Sequence, residues 1–498
     1  MFHRSAPLFA LFLLAACSEA SNQPSASSSA VVSVGSTPSA VASAALSARL
    51  AALSSVASAS ASASAAPTLP PLDEKGLLEA AKAIVEDIGK GNYDGALARC
   101  APSLRDALKS DKLHDAWTKS TGDKGAYEGI DTVSRQPKRG MLVARVRVRL
   151  TKGSMDVTLA VSEHGSQPDT LFFGKAQDPW TPASYSDPSK FDAVEVIVGD
   201  METGLPGTLL VPKGDGPFPA AILVHGSGPS DRDESIGPSK PFRDLAEGLA
   251  SRGVAVLRYE KRTLGHVPDL SINPLNLTVK EEYYDDVKAA VATLSATPKI
   301  DAKRLVIVGH SMGAWLTPEF LTQNPSVAAG ALLSGNARPM LDLLEPQFTY
   351  LAKADDKKVS EAEQASIDKI REQVKNAKAP DLKPDAAAST MPLGLPAVYW
   401  LAVRDYDAVK VAKTIAQPLF IAQGERDYQV TAADDFALWK KALKGRKDTT
   451  LKLYPKLNHP LIAGDGPSSP ADYEVFGHVD GAVVGDLASF ILGLATPK

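Results

Sequence analysis

Between residues 220 and 454 the chain carries six short apolar runs separated by helical or loop stretches. The runs are rich in β-branched residues and bounded by glycine or proline, which is typical of strands buried on both faces of a mostly parallel sheet. Because strands that alternate with helices indicate an α/β architecture, residues 191–498 are predicted to form one α/β domain. The predicted strands are Ala220–Val224, Val254–Tyr259, Leu305–Val308, Ala328–Leu333, Leu419–Ala422 and Leu451–Tyr454.

A smaller α+β domain is predicted over residues 72–176. Apolar residues from Leu77 to Ile88 recur at spacings of three and four, which places them on one face of a helix. Residues Leu142–Leu150 alternate apolar with basic side chains, as a strand with one solvated face does. Helices followed by antiparallel strands are the signature of an α+β domain, and we expect an accessory role for it.

The amino-terminal segment predicts export and a lipid anchor. Residues 1–16 read as a signal peptide whose apolar core is Leu8–Leu14, and the residues before Cys17 resemble a bacterial lipobox. The expectation is a protein of the cell envelope, periplasmic or on the outer surface, that touches membrane only through a lipid on Cys17. A leader without lipidation is the alternative. Residues 17–71 are mostly Ser and Ala, so they are expected to form a disordered tether.

Charge excludes one class of partner. The chain has 54 Lys plus Arg and 58 Asp plus Glu, a formal net charge of −4, which argues against a nucleic-acid-binding surface. Its sequence contains no clustered metal-ligand pattern, so no metal and no cofactor are expected. A small-molecule substrate is the expected partner.

One pentapeptide carries the strongest chemical signal. Gly309-His310-Ser311-Met312-Gly313 follows a predicted strand and precedes a predicted helix, Ala314–Gln323. In a strand-turn-helix elbow, glycines two residues on either side of a serine allow the close backbone approach that the strained turn requires. Ser311 is therefore the candidate nucleophile, set above the carboxyl edge of the sheet.

A serine hydroxyl needs a base to remove its proton and an acid to orient that base. In the fold that uses this elbow, the acid and then the histidine follow the serine along the chain. The two histidines after Ser311 are His459, in a loop just after the last predicted strand, and His478, before the last predicted helix. His459 is favoured because of its position at the end of a strand.

Asp427 is the candidate acid. It follows the strand Leu419–Ala422 and a tight turn, which places it at the carboxyl end of the sheet. Glu425 lies nearer the turn, and Asp434 and Asp435 are expected to cap a helix instead. Asp427 would fix the tautomer of the histidine and stabilise its imidazolium.

Two backbone N–H groups are candidate oxyanion donors. The N–H of Met312 is one by its position after the nucleophile, and the loop after the first strand supplies the other. Ser227 is the first choice there and Gly228 the second, because small residues permit close approach. His225 is predicted to brace this loop.

Residues 336–416 form a long insertion between two predicted strands. It includes a charged helical stretch, Ser360–Val374, and is predicted to be a helical lid over the acyl pocket, with a disordered loop as the alternative. Tyr399 and Trp400 in this insertion are expected to line the substrate pocket.

Taken together, these motifs resemble bacterial esterases of the serine-aminopeptidase and dienelactone-hydrolase-like branch of the α/β-hydrolases. The smaller domain resembles domain of unknown function 3887, with a nuclear transport factor 2-like cone. The first resemblance implies a triad of Ser311, Asp427 and His459 and hydrolysis of short-chain acyl esters. A peptidase or amidase and a catalytically dead lipid-anchored binding protein are the alternatives. The segments that carry the resemblance are His225–Glu234, Leu257–Arg262, Gly309–Gly313, Gly424–Val430 and Asn458-His459.

Overall fold

The structure is a computed structural model that describes seven stretches of the chain. The predicted signal peptide, Cys17 and nearly all of the predicted tether lie outside the described residues. Contacts divide the described residues into two units, 70–176 and 180–495, and each unit is considered by itself. The described stretches are residues 70–136, 141–162, 165–176, 180–201, 203–265, 277–354 and 357–495.

The first unit consists of four helices followed by a four-stranded antiparallel meander, so the predicted order of elements is confirmed. Ile84, Val85 and Ile88 lie on one helical face and are fully buried against Val146 and Val148 of the sheet. This packing follows from the spacing of apolar residues in the two elements. The elements are α1 Glu74–Gly89, α2 Tyr93–Ala98, α3 Pro102–Ala107, α4 Ser110–Thr121, β1 Tyr127–Gln136, β2 Met141–Leu150, β3 Gly153–Ser162 and β4 Thr170–Lys175.

The second unit is built on an eight-stranded sheet whose strands, numbered along the chain, lie in the order β12-β11-β10-β9-β7-β8-β6-β5. Strands β7 to β12 run parallel to one another, whereas β6 pairs antiparallel with both β8 and β5. The strands are β5 Phe191–Val198, β6 Leu205–Pro212, β7 Phe218–Val224, β8 Ala255–Tyr259, β9 Ile300–His310, β10 Ala329–Leu333, β11 Leu419–Gly424 and β12 Thr449–Tyr454.

Helices cover both faces of this sheet. The pair α5 and α14 packs on one face, and α7, α8 and α13 pack on the other. All six predicted strands are confirmed, and the order of strands is that of an α/β-hydrolase. The helices are α5 Pro241–Ala250, α6 Arg262–Gly265, α7 Asp285–Ser295, α8 Met312–Gln323, α9 Leu341–Ala352, α10 Glu361–Lys378, α11 Ala397–Val403, α12 Ala408–Ala412, α13 Ala437–Ala442 and α14 Gly481–Leu492.

The insertion between β10 and β11 contains α9 to α12. The predicted helix at 360–374 is confirmed as α10, which Ser360 starts with a capping box shared with Glu363. The hydrophobic core on the α7, α8 and α13 side of the sheet also contains Tyr399 and Trp400 of α11 and Ala408 of α12. No helix within the described ranges has the length and apolar character needed to cross a membrane.

Candidate active site

Ser311 lies between β9 and α8 on a turn that only a narrow set of residues tolerates. Its backbone φ is 52° and ψ is −116°, outside the regions that L-residues favour. A Cβ on Gly309 would lie 2.3 Å from the Gly313 carbonyl carbon, and a Cβ on Gly313 would lie 2.4 Å from the Val224 carbonyl oxygen. Both glycines are therefore required by close backbone contacts, and Ser311 is left half-buried at the edge of the sheet.

His459 is paired with Asp427 in this structure. The loops after β12 and β11 bring His459 Nδ1 to 2.7 Å from Asp427 Oδ2, and both side chains are buried. The other carboxylate oxygen of Asp427 accepts the N–H groups of Gln429 and Val430 at 2.8 and 3.0 Å. Because the carboxylate is an acceptor, Nδ1 of His459 carries the proton and Nε2 is left as the basic nitrogen.

His478 has a different partner. Its Nδ1 lies 2.9 Å from Asp244 Oδ1 on α5, and the same oxygen accepts the Trp180 indole N–H at 3.0 Å. Glu425, the acid nearest the β11 turn, is exposed. The structure therefore brings His459, but not His478, to the acid that follows β11.

The expectation that Asp434 and Asp435 cap a helix is wrong. Thr431 is the cap, since its hydroxyl accepts the Asp434 N–H at 3.2 Å. Asp435 is buried and accepts the N–H groups of Ala337 and Arg338, each at 3.0 Å. Its carboxylate thus fixes the start of the insertion after β10, a contact between residues almost a hundred positions apart that local sequence cannot reveal.

The loop after β7 runs beside the nucleophile. A Cβ on Gly226 would lie 3.1 Å from Ser311 Cβ, so the Gly226 backbone passes directly against the serine. Among the residues that the structure describes, the N–H groups of Ser227 and Met312 meet no protein acceptor. Two unpaired donors next to Ser311 are what an oxyanion requires.

His225 braces that loop, in keeping with the prediction for it. Its Nε2 lies 2.9 Å from the Asp231 carbonyl oxygen, and its ring packs between Phe242 and Tyr259. Burial lowers the pKa of His225 to about 4, so the imidazole is neutral near pH 7.

A second acid–histidine pair, Glu234 and His310, was not foreseen from the sequence. His310 Nδ1 lies 3.0 Å from Glu234 Oε2, and His310 Nε2 lies 3.1 Å from the His459 carbonyl oxygen. The other oxygen of Glu234 accepts the Gly226 N–H at 2.6 Å. Two buried side chains therefore join the loop beside Ser311 to the backbone of the candidate base.

Electrostatics favour the ionised forms of Glu234 and His310. Burial opposes the ionisation of Glu234 and of His310. For each residue, the charge of the other and the hydrogen bonds of its own side chain outweigh burial. The pKa of His310 is raised and the pKa of Glu234 is lowered. His310 is thus favoured as an imidazolium, whose two N–H groups face a carboxylate and a carbonyl oxygen.

Tyr399 and Trp400 are both fully buried in α11. The Tyr399 hydroxyl donates to Glu282 at 2.8 Å and lies 3.5 Å from the sulfur of Met312. The Trp400 indole donates to the Pro392 carbonyl oxygen at 3.2 Å, within the insertion. Tyr399 therefore reaches the residue that follows the candidate nucleophile, whereas the indole N–H of Trp400 is used inside the insertion.

The strand order and the turn that carries Ser311 define an α/β-hydrolase. A family model described as serine aminopeptidase, S33, matches residues 235–465. The chain is 31% identical to Esterase EstD of Thermotoga maritima over 414 residues, which cover 83% of this chain and 95% of that protein. The chain therefore belongs to the EstD family of esterases and is a carboxylic ester hydrolase.

Two further similarities are more distant. The chain is 28% identical over 156 residues to a putative carboxymethylenebutenolidase of Methylorubrum extorquens, covering 29% of this chain and 51% of the relative. A solved esterase of Pyrococcus furiosus aligns over 64% of this chain and 96% of its own, with 18% identity and a TM-score of 0.38.

Proposed function

We propose that the enzyme hydrolyses its esters through an acyl-serine intermediate on Ser311. The observation that carries this is the 2.7 Å contact between His459 and Asp427. The ring of His459 lies 4.8 Å from that of His310, which directly precedes Ser311 on its strained turn. His459 Nε2 takes the Ser311 proton as the hydroxyl attacks the carbonyl, and then returns it to the leaving alcohol. Water deprotonated by the same nitrogen releases the acid and regenerates the serine.

The N–H groups of Ser227 and Met312 are the proposed donors to the oxyanion. They come from the loop after β7 and from the first residue of α8, and neither is used by a protein acceptor in the described part of the chain. At the amino end of a helix, the Met312 N–H also benefits from the helix dipole. Removing one such donor typically costs about 10² to 10³ in rate.

Short acyl chains are the proposed substrates, with Tyr399 and Trp400 lining the pocket. In support, the bulky Tyr399 side chain already fills space beside Met312, at a hydroxyl-to-sulfur distance of 3.5 Å. A methyl or propyl chain should therefore fit better than a long one.

A Ser311→Ala variant tests the proposal on nitrophenyl esters of two to twelve carbons and on dipeptide amides. We expect the loss of ester turnover and of labelling by a serine-directed fluorophosphonate. Ser489→Ala, at an exposed position of α14, is the matched control and should keep both. Unchanged ester turnover in Ser311→Ala would refute the assignment, and faster amide than ester turnover in the parent would indicate a peptidase.

A lipid anchor at Cys17 is the proposed attachment to the cell envelope. It rests on the lipobox-like residues before Cys17. Incorporation of a palmitate analogue into the full chain, absent from Cys17→Ala, is the expected result. Equal labelling of both proteins would contradict it.

For the first unit we propose an accessory role and the cone-like architecture of domain of unknown function 3887. In support, its helices precede and pack on a four-stranded antiparallel sheet. Substitutions on this unit should leave the turnover of a small nitrophenyl ester unchanged.

A further inference from the structure

Lys261 is a buried cation that the proposed mechanism leaves without a role. It follows β8, at the same edge of the sheet as Ser311, and is 2% exposed. Its Nζ donates to the carbonyl oxygens of Gly226 and Gly228, at 2.7 and 2.9 Å. Two carbonyl groups of the loop beside Ser311 therefore accept hydrogen bonds from the same ammonium group.

The geometry of a peptide bond connects this cation to the oxyanion donor. The Gly226 carbonyl and the Ser227 N–H belong to one planar trans unit, in which the two groups point in opposite directions. Holding the carbonyl towards Lys261 thus turns the Ser227 N–H away from Lys261. The positive charge of Lys261, held at this carbonyl oxygen, also polarises the amide and so strengthens the Ser227 N–H as a donor.

Two side chains, Glu282 and Tyr283, hold the ammonium in place. Glu282 Oε1 lies 2.7 Å from Lys261 Nζ, and the other Glu282 oxygen accepts the Tyr399 hydroxyl at 2.8 Å. The Tyr283 hydroxyl accepts from Lys261 and donates to the Gly226 carbonyl oxygen, both at 2.7 Å. Burial lowers the pKa of Lys261, and the charge of Glu282 together with its hydrogen bond offsets part of this cost.

We propose that Lys261 is a positioning residue for catalysis, which orients and polarises the Ser227 N–H through the Gly226 carbonyl. The role rests on the proposed function, because it presumes that an oxyanion forms at Ser311. Lys261 itself touches neither substrate nor reacting atoms. Tyr283 is the second contributor, because its hydroxyl donates to the same carbonyl oxygen.

The test uses the full chain with two variants. Lys261→Met combined with Glu282→Gln removes both charges and so leaves no buried ion unpaired. Tyr283→Phe removes only a hydroxyl. We expect kcat for a nitrophenyl acetate to fall about 10- to 100-fold in the double variant and a few-fold in Tyr283→Phe, with little change in KM, because the lost interaction acts in the transition state.

A trifluoromethyl ketone separates positioning from a merely structural role. The ketone forms a hemiketal oxyanion on Ser311, so its inhibition constant should weaken by the same factor as kcat/KM. The concentration of active sites in each protein is measured by titration with the fluorophosphonate, so unfolded protein is not counted. A structural role would lower the thermal midpoint and leave the ketone affinity of the titrated sites unchanged.

The outcomes distinguish this inference from the proposed function. If Ser311→Ala keeps its esterase activity, the proposed function fails. If Ser311→Ala is inactive while Tyr283→Phe and the double variant keep parental kcat and ketone affinity, the proposed role of Lys261 fails and the proposed function stands. Should the double variant not fold, Tyr283→Phe decides the question by the same ketone measurement.

Discussion

Replacement of Glu234 should separate the charge of the Glu234–His310 pair from its hydrogen bonds. Glu234→Ala removes the acceptor of the Gly226 N–H, which is held at 2.6 Å, and the counter-ion of His310. Glu234→Gln is nearly isosteric: its amide oxygen can accept the Gly226 N–H, and its amide nitrogen can donate to a neutral His310. The second variant therefore keeps the bridge and loses only the charge.

The cost of each change follows from these contacts. Breaking a buried ion pair by removing one partner costs about 3 to 5 kcal/mol. In Glu234→Ala the lower end applies, because His310 can lose its proton and still donate from Nε2 to the His459 carbonyl, 3.1 Å away. About 3 kcal/mol corresponds to an apparent Tm decrease of about 5 °C for a domain of roughly 300 residues, whose entropy of unfolding is about 0.6 kcal/mol/K. Glu234→Gln should cost much less.

The effect of pH has a definite sign. The raised pKa of His310 gives stability that is present below its unfolded value, about 6.5, and is lost as pH rises through the folded value. The lowered pKa of Glu234 gives stability that is present above about 4.3 and is lost as pH falls through the folded value. Relative to Glu234→Gln, the parent should therefore be favoured most near pH 5 to 6.5 and progressively less towards pH 9.

The assay is thermal unfolding of parent, Glu234→Gln and Glu234→Ala from pH 5 to 9, followed by the change in intrinsic fluorescence. Asp427 and His459 also face His310, but they are present in all three proteins, so their contributions largely cancel in the differences. A difference between parent and Glu234→Gln that does not change with pH would refute the charged pair. Equal midpoints for Glu234→Ala and Glu234→Gln would refute the bridge.

Three further variants probe the loops around Ser311. Gly226→Ala should fold but lose most of its esterase activity, because its Cβ would lie 3.1 Å from Ser311 Cβ; circular dichroism and nitrophenyl ester turnover check this. Asp427→Asn should lower kcat by about 10⁴, since an amide can hold the wrong tautomer of His459; retention of more than a tenth of parental kcat would contradict the role. His478→Gln should keep parental kcat, because His478 contacts Asp244 instead; a large loss of kcat without loss of fold would contradict this.

Local patterns predicted most of the fold. Strands buried on both faces are largely apolar, so the cores of β7 to β11 could be identified from apolar runs in the sequence. Edge strand β12 is only partly buried, and the short run Leu451–Tyr454 identified it. The antiparallel strands β5 and β6 were not predicted individually. Residues 192–195 of edge strand β5 are exposed, so that part of the strand lacks the apolar run that marks a buried one.

The candidate site was predictable only where chain order and strand ends constrain it. Ser311, Asp427 and His459 each follow a strand, and the structure places Asp427 against His459. The contacts of Glu234 with His310 and of Lys261 with Gly226 join residues far apart in sequence, and no local period or spacing marks them. The wrong expectation for Asp435 has the same origin, because its partners lie on another loop.

These buried charges have a common geometry that argues for rigidity at the site. The single residue Gly226 is held at its N–H by Glu234 and at its carbonyl by Lys261, so both peptide planes around it are fixed by ionised groups. Charge-assisted hydrogen bonds are roughly twice as strong as neutral ones, whereas burial of each ion is costly unless it is paired. His310 and Glu282 are the partners that satisfy this condition. Under the proposed mechanism, a loop held in this way would need little reorganisation when the oxyanion forms, which is the property that makes fixed dipoles effective in catalysis.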